Sequence, residues 1–374
     1  MKTIKKILMI LGVILGVVLL AAIGLFTWLT ITEYRPEAEE PVALYYLVPE
    51  AGDAGEEGSW AEGFASEGET LDRSSFTLLS WNVGYCALGS ESDFFMDGGK
   101  EIRPASEELI QKNLDGICSI LSAQDADFLL LQEVDSDSKR SYGVNEMTAL
   151  RDKLGRTCAY ALNYSCSYVP YPWPPIGKVH AGLLTCSRYA VSEATRISLP
   201  CPFSWPVSMV NLKRCLLVSR IPLAGSEKEL VLVNLHLEAY DDGEGKLAQS
   251  RQLREFLAAE YEKGNYVVAG GDWNQLFPDT ESAWPNTHRE LWTPSLLDET
   301  ELAEGWHYVW DETVPSCRLL NQPYDPTDAE NTQYYVIDGF LISPNLSVER
   351  VETLDAGFAY SDHNPVALTL RLED

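Results

Sequence analysis

An uninterrupted apolar segment from Ile7 to Ile31 dominates the first part of the hydropathy pattern. Its 25 positions carry no charge, and a helix of about 20 apolar residues is enough to cross a bilayer. Lysines precede the segment and acidic residues follow it, so the positive-inside rule predicts a cytoplasmic N-terminus. We therefore expect residues 1–31 to form a cytoplasmic stub and a single-pass anchor in the cell membrane. A cleaved signal peptide is the alternative, although its apolar core usually spans only ~7–15 residues.

From Phe76 onward, short apolar runs alternate with amphipathic stretches. The apolar runs predict buried strands at FTLLSWN (76–82), DFLLLQE (127–133), AGLLTCS (181–187), CLLVSRI (215–221), ELVLVNLHL (229–237), YVVAGGDWN (266–274), YYVIDGFLIS (334–343) and PVALTLRL (365–372). Helical spacing predicts helices after Pro104, over 145–155 and over 246–264. With no repeat and no internal linker, the pattern predicts one α/β domain over 76–374, the catalytic domain.

Residues 32–75 differ from this domain in composition. They hold twelve acidic side chains and two arginines, and few apolar residues follow Leu47. Such a composition is typical of a solvated chain without a packed core. We expect an acidic flexible linker here.

The overall charge restricts the classes of partner. Lys and Arg number 28 against 56 Asp and Glu, which gives a formal net charge of −28. Affinity for the phosphate backbone of nucleic acids comes mainly from Lys and Arg, so a basic nucleic-acid-binding surface is not expected. If the protein acts on phosphates, metal ions must supply the positive charge.

The eight cysteines show neither a CxxC pair nor a zinc-like spacing with histidine. Several lie in apolar runs, such as Cys118 and Cys215, where a small buried residue is the simplest interpretation. In an exported domain Cys158 and Cys166 would be sterically the easiest pair to join. The spacing alone defines no disulfide map.

Polar side chains collect at the ends of the predicted strands. They are Asn82, Gln132, Glu133, His236, Asp272, Asn274 and Asp338, with Asp362 and His363 just before the last strand. Open α/β folds bind ligands outside strand ends, so the set indicates a site. Any one of these residues is more often a turn former or a helix cap. Five strands that end alike are harder to explain by turn chemistry.

The residue types in this set fit one kind of reaction. Carboxylates with a carboxamide offer the hard oxygen ligands that Mg²⁺ prefers. Two histidines and a further carboxylate can then manage protons and phosphate charge. No GxSxG elbow, P-loop or HExxH motif occurs in the sequence.

Six short segments contain the polar residues described above: SWNVG (80–84), LLLQEVD (129–135), VNLHLEA (233–239), VAGGDWNQ (268–275), YVIDGFLIS (335–343) and SDHNPV (361–366). In sequence and in order along 76–374, they resemble segments of the endonuclease/exonuclease/phosphatase (DNase I-like) superfamily. The members of that superfamily share a magnesium-dependent phosphoesterase site. The resemblance implies an α/β (α+β) fold, a four-layer αββα sandwich of two mixed sheets with helices outside.

The resemblance also implies the metal ligands. Asn82 and Glu133 would hold the ion, with Asp362 close to it. The ion would be Mg²⁺, and Mn²⁺ can replace it in an oxygen-rich site.

The remaining positions would carry the reaction. His363, polarised by Asp338, would act on the scissile phosphate, and Asp272 would orient or deprotonate the attacking water. Asn274 and His236 would hydrogen-bond the phosphoryl oxygens as charge builds on them. The resemblance implies in-line attack by water without a covalent enzyme intermediate.

Departures from the family pattern narrow the range of substrate classes that we expect. The inositol-phosphate 5-phosphatase branch has Arg where Gln275 stands and a Trp-Cys-Asp-Arg run where this chain has YVIDGFL (335–341), so that branch is disfavoured. We expect a lipid-borne or small phosphoester, as diester or monoester, cut by a monomeric enzyme outside the cytoplasm. An extracellular nuclease is the first alternative, which the acidity of the domain disfavours, and a non-catalytic binding module on the same fold is the second.

The stretch 163–182 interleaves aromatic residues with prolines. Tyr171 and Trp173, followed by Lys178 and His180, predict a stiff rim that receives a lipid headgroup, a sugar or a base, with a basic residue on the phosphate. A proline-rich surface loop whose aromatics pack on the domain is an equal alternative.

Overall fold

In the computed structural model the N-terminal apolar segment forms helix α1 (Lys2–Ile31). The structure describes residues 2–48, 59–66, 68–241, 243–328 and 331–373. Most apolar side chains of α1 are exposed, whereas Leu29 near its end is buried. By length and composition α1 can span a membrane, a test that a signal sequence also passes.

Nineteen strands and three further α-helices follow α1 in the described residues, and the strands greatly outnumber the helices. In chain order they are β1 (Glu39–Pro41), β2 (Leu44–Val48), β3 (Ser59–Gly63), β4 (Ser75–Asn82), α2 (Glu107–Gln124), β5 (Phe128–Asp135), α3 (Glu146–Leu154), β6 (Thr157–Val169), β7 (Gly177–Ser187), β8 (Glu193–Ser198), β9 (Cys215–Pro222), β10 (Glu229–His236), α4 (Glu244–Glu262), β11 (Tyr266–Asp272), β12 (Gln275–Leu276), β13 (Ser295–Leu296), β14 (His307–Val309), β15 (Cys317–Arg318), β16 (Tyr334–Tyr335), β17 (Asp338–Ile342), β18 (Leu346–Thr353) and β19 (Val366–Leu372). A short 3₁₀ helix, Val207–Val210, precedes β9.

Two large mixed sheets contain most of these strands. Over the described ranges one sheet has eight strands, in the order β18-β19-β4-β5-β7-β6-β2-β3, and the other has seven, in the order β1-β8-β9-β10-β11-β17-β14. The pairs β4–β5 and β10–β11 are parallel, and their neighbours in each sheet are antiparallel. Parallel neighbours bring the ends of β4 and β5, and of β10 and β11, to the same edge.

The sheets pack face to face with helices on their outer sides. Leu78 and Leu130 of the eight-stranded sheet share one core with Leu232 and Val268 of the seven-stranded sheet. Residues of α2 and α3 pack with the opposite face of the first sheet, and residues of α4 pack with the opposite face of the second. Burial of one such leucine contributes about 1.5–3 kcal/mol. The predicted four-layer αββα sandwich is confirmed.

The predicted helix boundaries follow from local capping. The hydroxyl of Ser106 accepts a hydrogen bond from the Leu109 amide at the start of α2. At α3 the Asn145 side chain accepts from the Thr148 amide, and Gly155 ends the helix at φ 62°. Positive φ is the conformation in which glycine ends helices at little cost.

The expectation of a flexible linker over 32–75 is wrong for much of that segment. In it, β1 pairs with β8 of the seven-stranded sheet, and β2 pairs with β6 of the eight-stranded sheet. β1 and β2 are ordered because their backbones hydrogen-bond to the edges of the two sheets, although the composition of the segment could not support a core of its own. Residues 49–58 and 67 of the predicted linker lie outside the described residues.

The stretch 163–182 is mostly strand rather than loop. β6 continues to Val169 and β7 begins at Gly177, so the prolines occupy a short hairpin connection between two paired strands. The alternation of polar and apolar residues along β6 is typical of a half-buried strand.

The structure pairs cysteines differently from the expected pair. Cys158 of β6 lies opposite Cys186 of β7 in the ladder, and a disulfide joins them. Cys166 is free and buried. Eight residues along one strand separate Cys158 from Cys166, whereas cross-strand partners lie within reach of a disulfide.

Candidate active site

Register brings the polar strand ends together. His236 at the end of β10 is the ladder partner of Asp272 in β11, and Asp272 is in turn the partner of Asp338 in β17. From the other sheet, Asn82 ends β4. His363 forms an isolated β-bridge with Cys317. One edge of the sandwich thus gathers the side chains that the sequence predicted.

Asn82 links the two sheets at this edge. Its Nδ2 donates to Asp272 Oδ2 at 3.0 Å and to Glu133 Oε1 at 3.3 Å. Its Oδ1 accepts a hydrogen bond from the Gly84 amide at 3.0 Å. Glu133 has a φ of 54°, a left-handed conformation that is uncommon for a residue with a side chain. Such backbone strain is often retained at functional positions.

His363 and Asp338 form a buried pair. His363 Nδ1 lies 2.8 Å from Asp338 Oδ2, and the same oxygen accepts a hydrogen bond from Ser316 Oγ at 2.7 Å. Although burial alone lowers the pKa of His363, the Asp338 carboxylate raises that pKa well above its usual value. The indole Nε1 of Trp81 donates to the His363 carbonyl oxygen at 2.8 Å, which fixes the backbone under the ring.

Asp272 lies between the two histidines. Its Oδ2 is 3.3 Å from His236 Nε2 and 3.9 Å from His363 Nε2. Burial raises the pKa of Asp272 to about 6, even though the nearby His363 lowers it. His236 has the opposite shift, because burial and the positive charge of Arg214 lower its pKa well below the usual value. A carboxylate beside a neutral imidazole and a cationic one is suited to accept a proton from water.

Asn274 is held by backbone contacts. Its amide N–H donates to Asp272 Oδ1 at 2.9 Å, and its side-chain Nδ2 donates to the Leu237 carbonyl oxygen at 2.9 Å. Its φ of 50° belongs to the left-handed region. The side chain is therefore fixed next to Asp272 rather than free to rotate.

Two groups of side chains offer ligands for a cation. Oxygen and nitrogen atoms of Asp272, Asp338 and His363 lie within 4.8 Å of one another, but Nδ1 of His363 is already hydrogen-bonded to Asp338. The second group is Glu133, Asp362 and Asn82. Burial raises the pKa of Asp362 to about 7, and the charge of Glu133 adds to that increase. Two carboxylates and a carboxamide are the kinds of oxygen ligand that suit a hard divalent cation.

A cavity of about 630 Å³ opens over these residues. Its lining includes six of the predicted residues: Glu133, His236, Asp272, Asn274, Asp362 and His363. Asn82 and Asp338 are buried and outside this lining. Of the predicted rim, only Tyr171 lines the cavity.

The other predicted rim residues lie elsewhere on the hairpin. Trp173 is 87% exposed and, like Lys178 and His180, is absent from the cavity lining. Lys178 forms an ion pair with Asp137, and the His180 amide donates to Ser138 Oγ. The ion pair holds the Lys178 side chain on the loop that follows β5, whereas the second contact fixes only the backbone of His180, whose ring Nδ1 lies 3.5 Å from Ser165 Oγ of β6. Their contact with substrate stays a prediction.

Three arginines that the sequence analysis missed line the cavity, Arg140, Arg214 and Arg318. Arg140 binds both carboxylate oxygens of Asp135, and Arg318 donates to the carbonyl oxygens of Gly89 and Ser92. Both are therefore occupied by protein partners. No local pattern marks these positions, since Arg140 and Arg214 lie in two different connections and Arg318 lies in the two-residue strand β15.

Arg214 is held less tightly than the other two. Its Nε lies 3.5 Å from Glu238 Oε2 without a hydrogen bond to any described residue, and its Nη1 donates to the His236 carbonyl oxygen at 3.4 Å. A buried guanidinium with unused donors beside a cavity is suited to an oxyanion.

Comparison with known proteins agrees with this arrangement. The sequence profile of the Endonuclease/Exonuclease/phosphatase family matches residues 79–363. The chain belongs to this family. Membership supports phosphoester hydrolysis as the general activity and confirms the family that the six segments indicated.

Solved structures resemble the fold at low sequence identity. An endonuclease/exonuclease/phosphatase from Beutenbergia cavernae DSM 12333 has a TM-score of 0.54 and 17% identity, covering 80% of this chain and 72% of that one. ANGEL2, a 2′,3′-cyclic phosphatase, has a TM-score of 0.53 and 15% identity, covering 83% of this chain and 99% of that one. No curated protein matches the chain. At these identities the likeness shows the fold.

Proposed function

We propose that the protein is a membrane-anchored phosphoesterase that depends on a divalent cation and acts outside the cytoplasm. The observation that carries the proposal is the convergence of the His363–Asp338 pair with Asp272 and Glu133 around one cavity. The non-catalytic module is disfavoured because these groups are gathered rather than dispersed: His363 is hydrogen-bonded to Asp338, and Asp272 and Glu133 both accept from Asn82.

Asn82, Glu133 and Asp362 would hold the cation, which is Mg²⁺, with Mn²⁺ as a substitute. When bound, it would neutralise phosphate charge and that of the surrounding carboxylates. The amide nitrogen of Asn82 now donates toward Glu133. For its carbonyl oxygen to face a cation beside Glu133, the amide would have to turn over and give up its hydrogen bonds to Asp272 and from Gly84.

Other side chains of the protein would activate the attacking water and stabilise the charge on the phosphoryl oxygens. Asp272 orients the attacking water and takes its proton, while the water oxygen bonds to phosphorus in line with the leaving alcohol. His363, held protonated by Asp338, donates to a phosphoryl oxygen, and His236 and Asn274 face the same oxygens. Arg214 adds a cationic donor. The P–O bond to the alcohol breaks, and the alcohol leaves with a proton.

The location follows from α1 and from the disulfide. Lysines at the start of α1 favour a cytoplasmic N-terminus and place the domain on the other side. The Cys158–Cys186 disulfide suits an oxidising compartment. The extracellular nuclease alternative is weaker, because a net charge of −28 repels a polyanion.

The test compares the full-length protein in detergent with His363→Ala on bis(4-nitrophenyl) phosphate and 4-nitrophenyl phosphate. His307→Ala is the matched control, because His307 is exposed in β14. We expect turnover that requires Mg²⁺, is lost in His363→Ala and survives in His307→Ala. Equal turnover in both variants would refute the proposal. With H₂¹⁸O as solvent, label in the leaving alcohol alone would exclude attack at phosphorus.

A further inference from the structure

The last turns of α1 pack against the catalytic domain. Thr30 Oγ1 lies 3.0 Å from the sulfur of Met209 and accepts a hydrogen bond from Trp205 Nε1 at 3.3 Å, while its own proton is donated to the Phe26 carbonyl oxygen at 2.7 Å. The rings of Phe26 and Trp205 lie 6.3 Å apart. These contacts hold the 3₁₀ helix Val207–Val210 and Trp205 beside the end of the membrane-spanning helix.

The length of α1 places this contact at the surface of the bilayer. About 20 residues cross the hydrocarbon core, so a span that starts at Ile7 ends near Phe26. Residues 26–30 then rise only ~6 Å further at 1.5 Å per residue. The headgroup layer of one leaflet has a similar thickness, ~5–8 Å. Trp205 and Val207 therefore lie at the level of the lipid headgroups.

The same segment forms a wall of the active-site cavity. A groove of about 180 Å³ between α1 and the domain is lined by Leu25, Phe26, Leu29, Pro170, Pro206, Val207, Met209 and Val210. Pro170 and Val210 also line the cavity that contains His363 and Asp272. Pro170 and Val210 thus separate the groove beside the end of α1 from the active-site cavity.

Exposed apolar residues surround this junction. Tyr171 is 72% exposed, Trp205 62% and Val207 49%. Tyr171 lines the cavity and directly follows Pro170. Large exposed apolar side chains in one region indicate a contact surface, and aromatic residues are enriched where proteins meet the membrane interface.

We infer that the cavity opens at the membrane surface and takes the phosphoester of a zwitterionic phospholipid from the leaflet next to it. The inference rests on the proposed function, whose substrate class it names. The headgroup phosphate reaches His363 and Asp272, while the lipid chains stay along Pro170, Tyr171 and Val210. A net charge of −28 opposes close approach to an anionic bilayer, so a headgroup without net charge is favoured.

Hydrolysis of this phosphoester needs water as its only co-reactant. The oxygen of water bonds to phosphorus, one P–O–C ester bond breaks, and the released alcohol takes a proton. With phosphatidylcholine as substrate, cleavage of either P–O ester bond of the phosphodiester releases a water-soluble product that contains choline.

The experiment uses the full-length protein reconstituted in phosphatidylcholine vesicles with Mg²⁺. Release of water-soluble choline-containing product is measured beside hydrolysis of soluble bis(4-nitrophenyl) phosphate by the same preparations. Val207→Glu places a charge at the proposed membrane contact. Val348→Glu is the matched control, because Val348 is exposed on β18, about 24 Å and five strand spacings from β6 in the same sheet.

We expect Val207→Glu to lower lipid turnover at least tenfold while the soluble diester is cut at the wild-type rate. Trp205→Gln should act in the same direction, and Val348→Glu should change neither activity. Equal lipid turnover in Val207→Glu and Val348→Glu would overturn the membrane-facing cavity. Cleavage of the soluble diester alone by the wild type would overturn the lipid class and leave the phosphoesterase standing. Cleavage of neither substrate would overturn the proposed function itself.

Discussion

Asp338 Oδ2 lies 2.8 Å from Nδ1 of His363, and this buried contact orients the imidazole so that Nε2 points toward Asp272. Asp338 is the ladder partner of Asp272, so one register places the histidine partner and the carboxylate that we propose activates water side by side. A slip of one residue in β17 would turn Asp338 to the other face of the sheet. The pairing of β11 with β17 is thus part of the site.

Replacing Asp338 with Asn should impair catalysis without removing substrate contacts. The amide is neutral, so the imidazolium of His363 loses its stabilising charge. We expect kcat to fall at least 100-fold with little change in KM, and NMR titration of the metal-free protein should show a lower pKa for His363. Asp72→Asn, at an exposed aspartate, is the control. A wild-type kcat in Asp338→Asn would contradict the role of the pair.

Glu133→Gln tests the ligand set of the cation. If Glu133, Asp362 and Asn82 hold it, this variant should bind Mg²⁺ or Mn²⁺ at least tenfold more weakly in calorimetric titration. His363→Ala should bind almost as well as the wild type, whereas it should lose binding if Asp272, Asp338 and His363 are the ligands. Glu290→Gln, at an exposed side chain, controls for loss of surface charge.

Arg214 is expected to bind the phosphate of the substrate. Its Nε has no hydrogen-bond partner among the described residues, and it lines the cavity beside His236. Arg214→Gln should raise KM for bis(4-nitrophenyl) phosphate about tenfold or more, since a charge-assisted contact contributes ~1.5–3 kcal/mol. Arg350→Gln, at an exposed arginine, should leave KM unchanged.

Removal of the Arg214 charge also leaves Glu238 buried without its cation. Arg214→Lys keeps the charge but not the planar fork, and thermal unfolding of both variants separates loss of stability from loss of binding. A KM at the wild-type value in a folded Arg214→Gln protein would rule out the phosphate contact.

The part of the fold predictable from sequence is the part with continuous apolar runs. β4, β5, β10 and β11 are central and buried on both faces, so each contains a run of mainly apolar residues before its polar end. β6 and β18 escaped prediction because polar residues alternate along them. β1 and β2 are short strands ordered by pairing with a neighbour, which local composition does not reveal.

The same distinction separates the predicted site residues from the missed ones. Asp272, Asp338 and His236 end buried strands, and register brings strand ends together in a way that a linear pattern can indicate. Arg140 reaches the cavity from the connection between β5 and α3, and Arg214 from the connection between β8 and β9. Their position depends on the path of a loop and on partners such as Asp135, which sequence spacing does not specify.

A salt bridge remote from the site should govern acid stability. Glu260 in α4 accepts hydrogen bonds from Arg220 of β9, from Lys263 and from Asn265. Although burial alone raises the pKa of Glu260, these contacts lower it to about 2 from the usual 4.5. A pKa lower in the folded state means that ionisation stabilises the fold above pH ~4.5, and this contribution is lost as the pH falls toward 2.

Glu260→Gln should therefore destabilise the protein at neutral pH by about 1–3 kcal/mol, which is the pKa difference at 1.36 kcal/mol per unit reduced for solvent screening by the exposed partner Lys263. The difference between wild type and Glu260→Gln should shrink steadily from pH 4.5 to pH 2. Urea unfolding, followed by tryptophan fluorescence at pH 7 and at pH 3, measures this difference in the free energy of unfolding. Glu262→Gln is the control, because Glu262 is exposed on the same helix. This variant should have the stability of the wild type at both pH values. A Glu260→Gln deficit that does not decrease on acidification would show that packing, rather than the charge of Glu260, fastens α4 to the sheet.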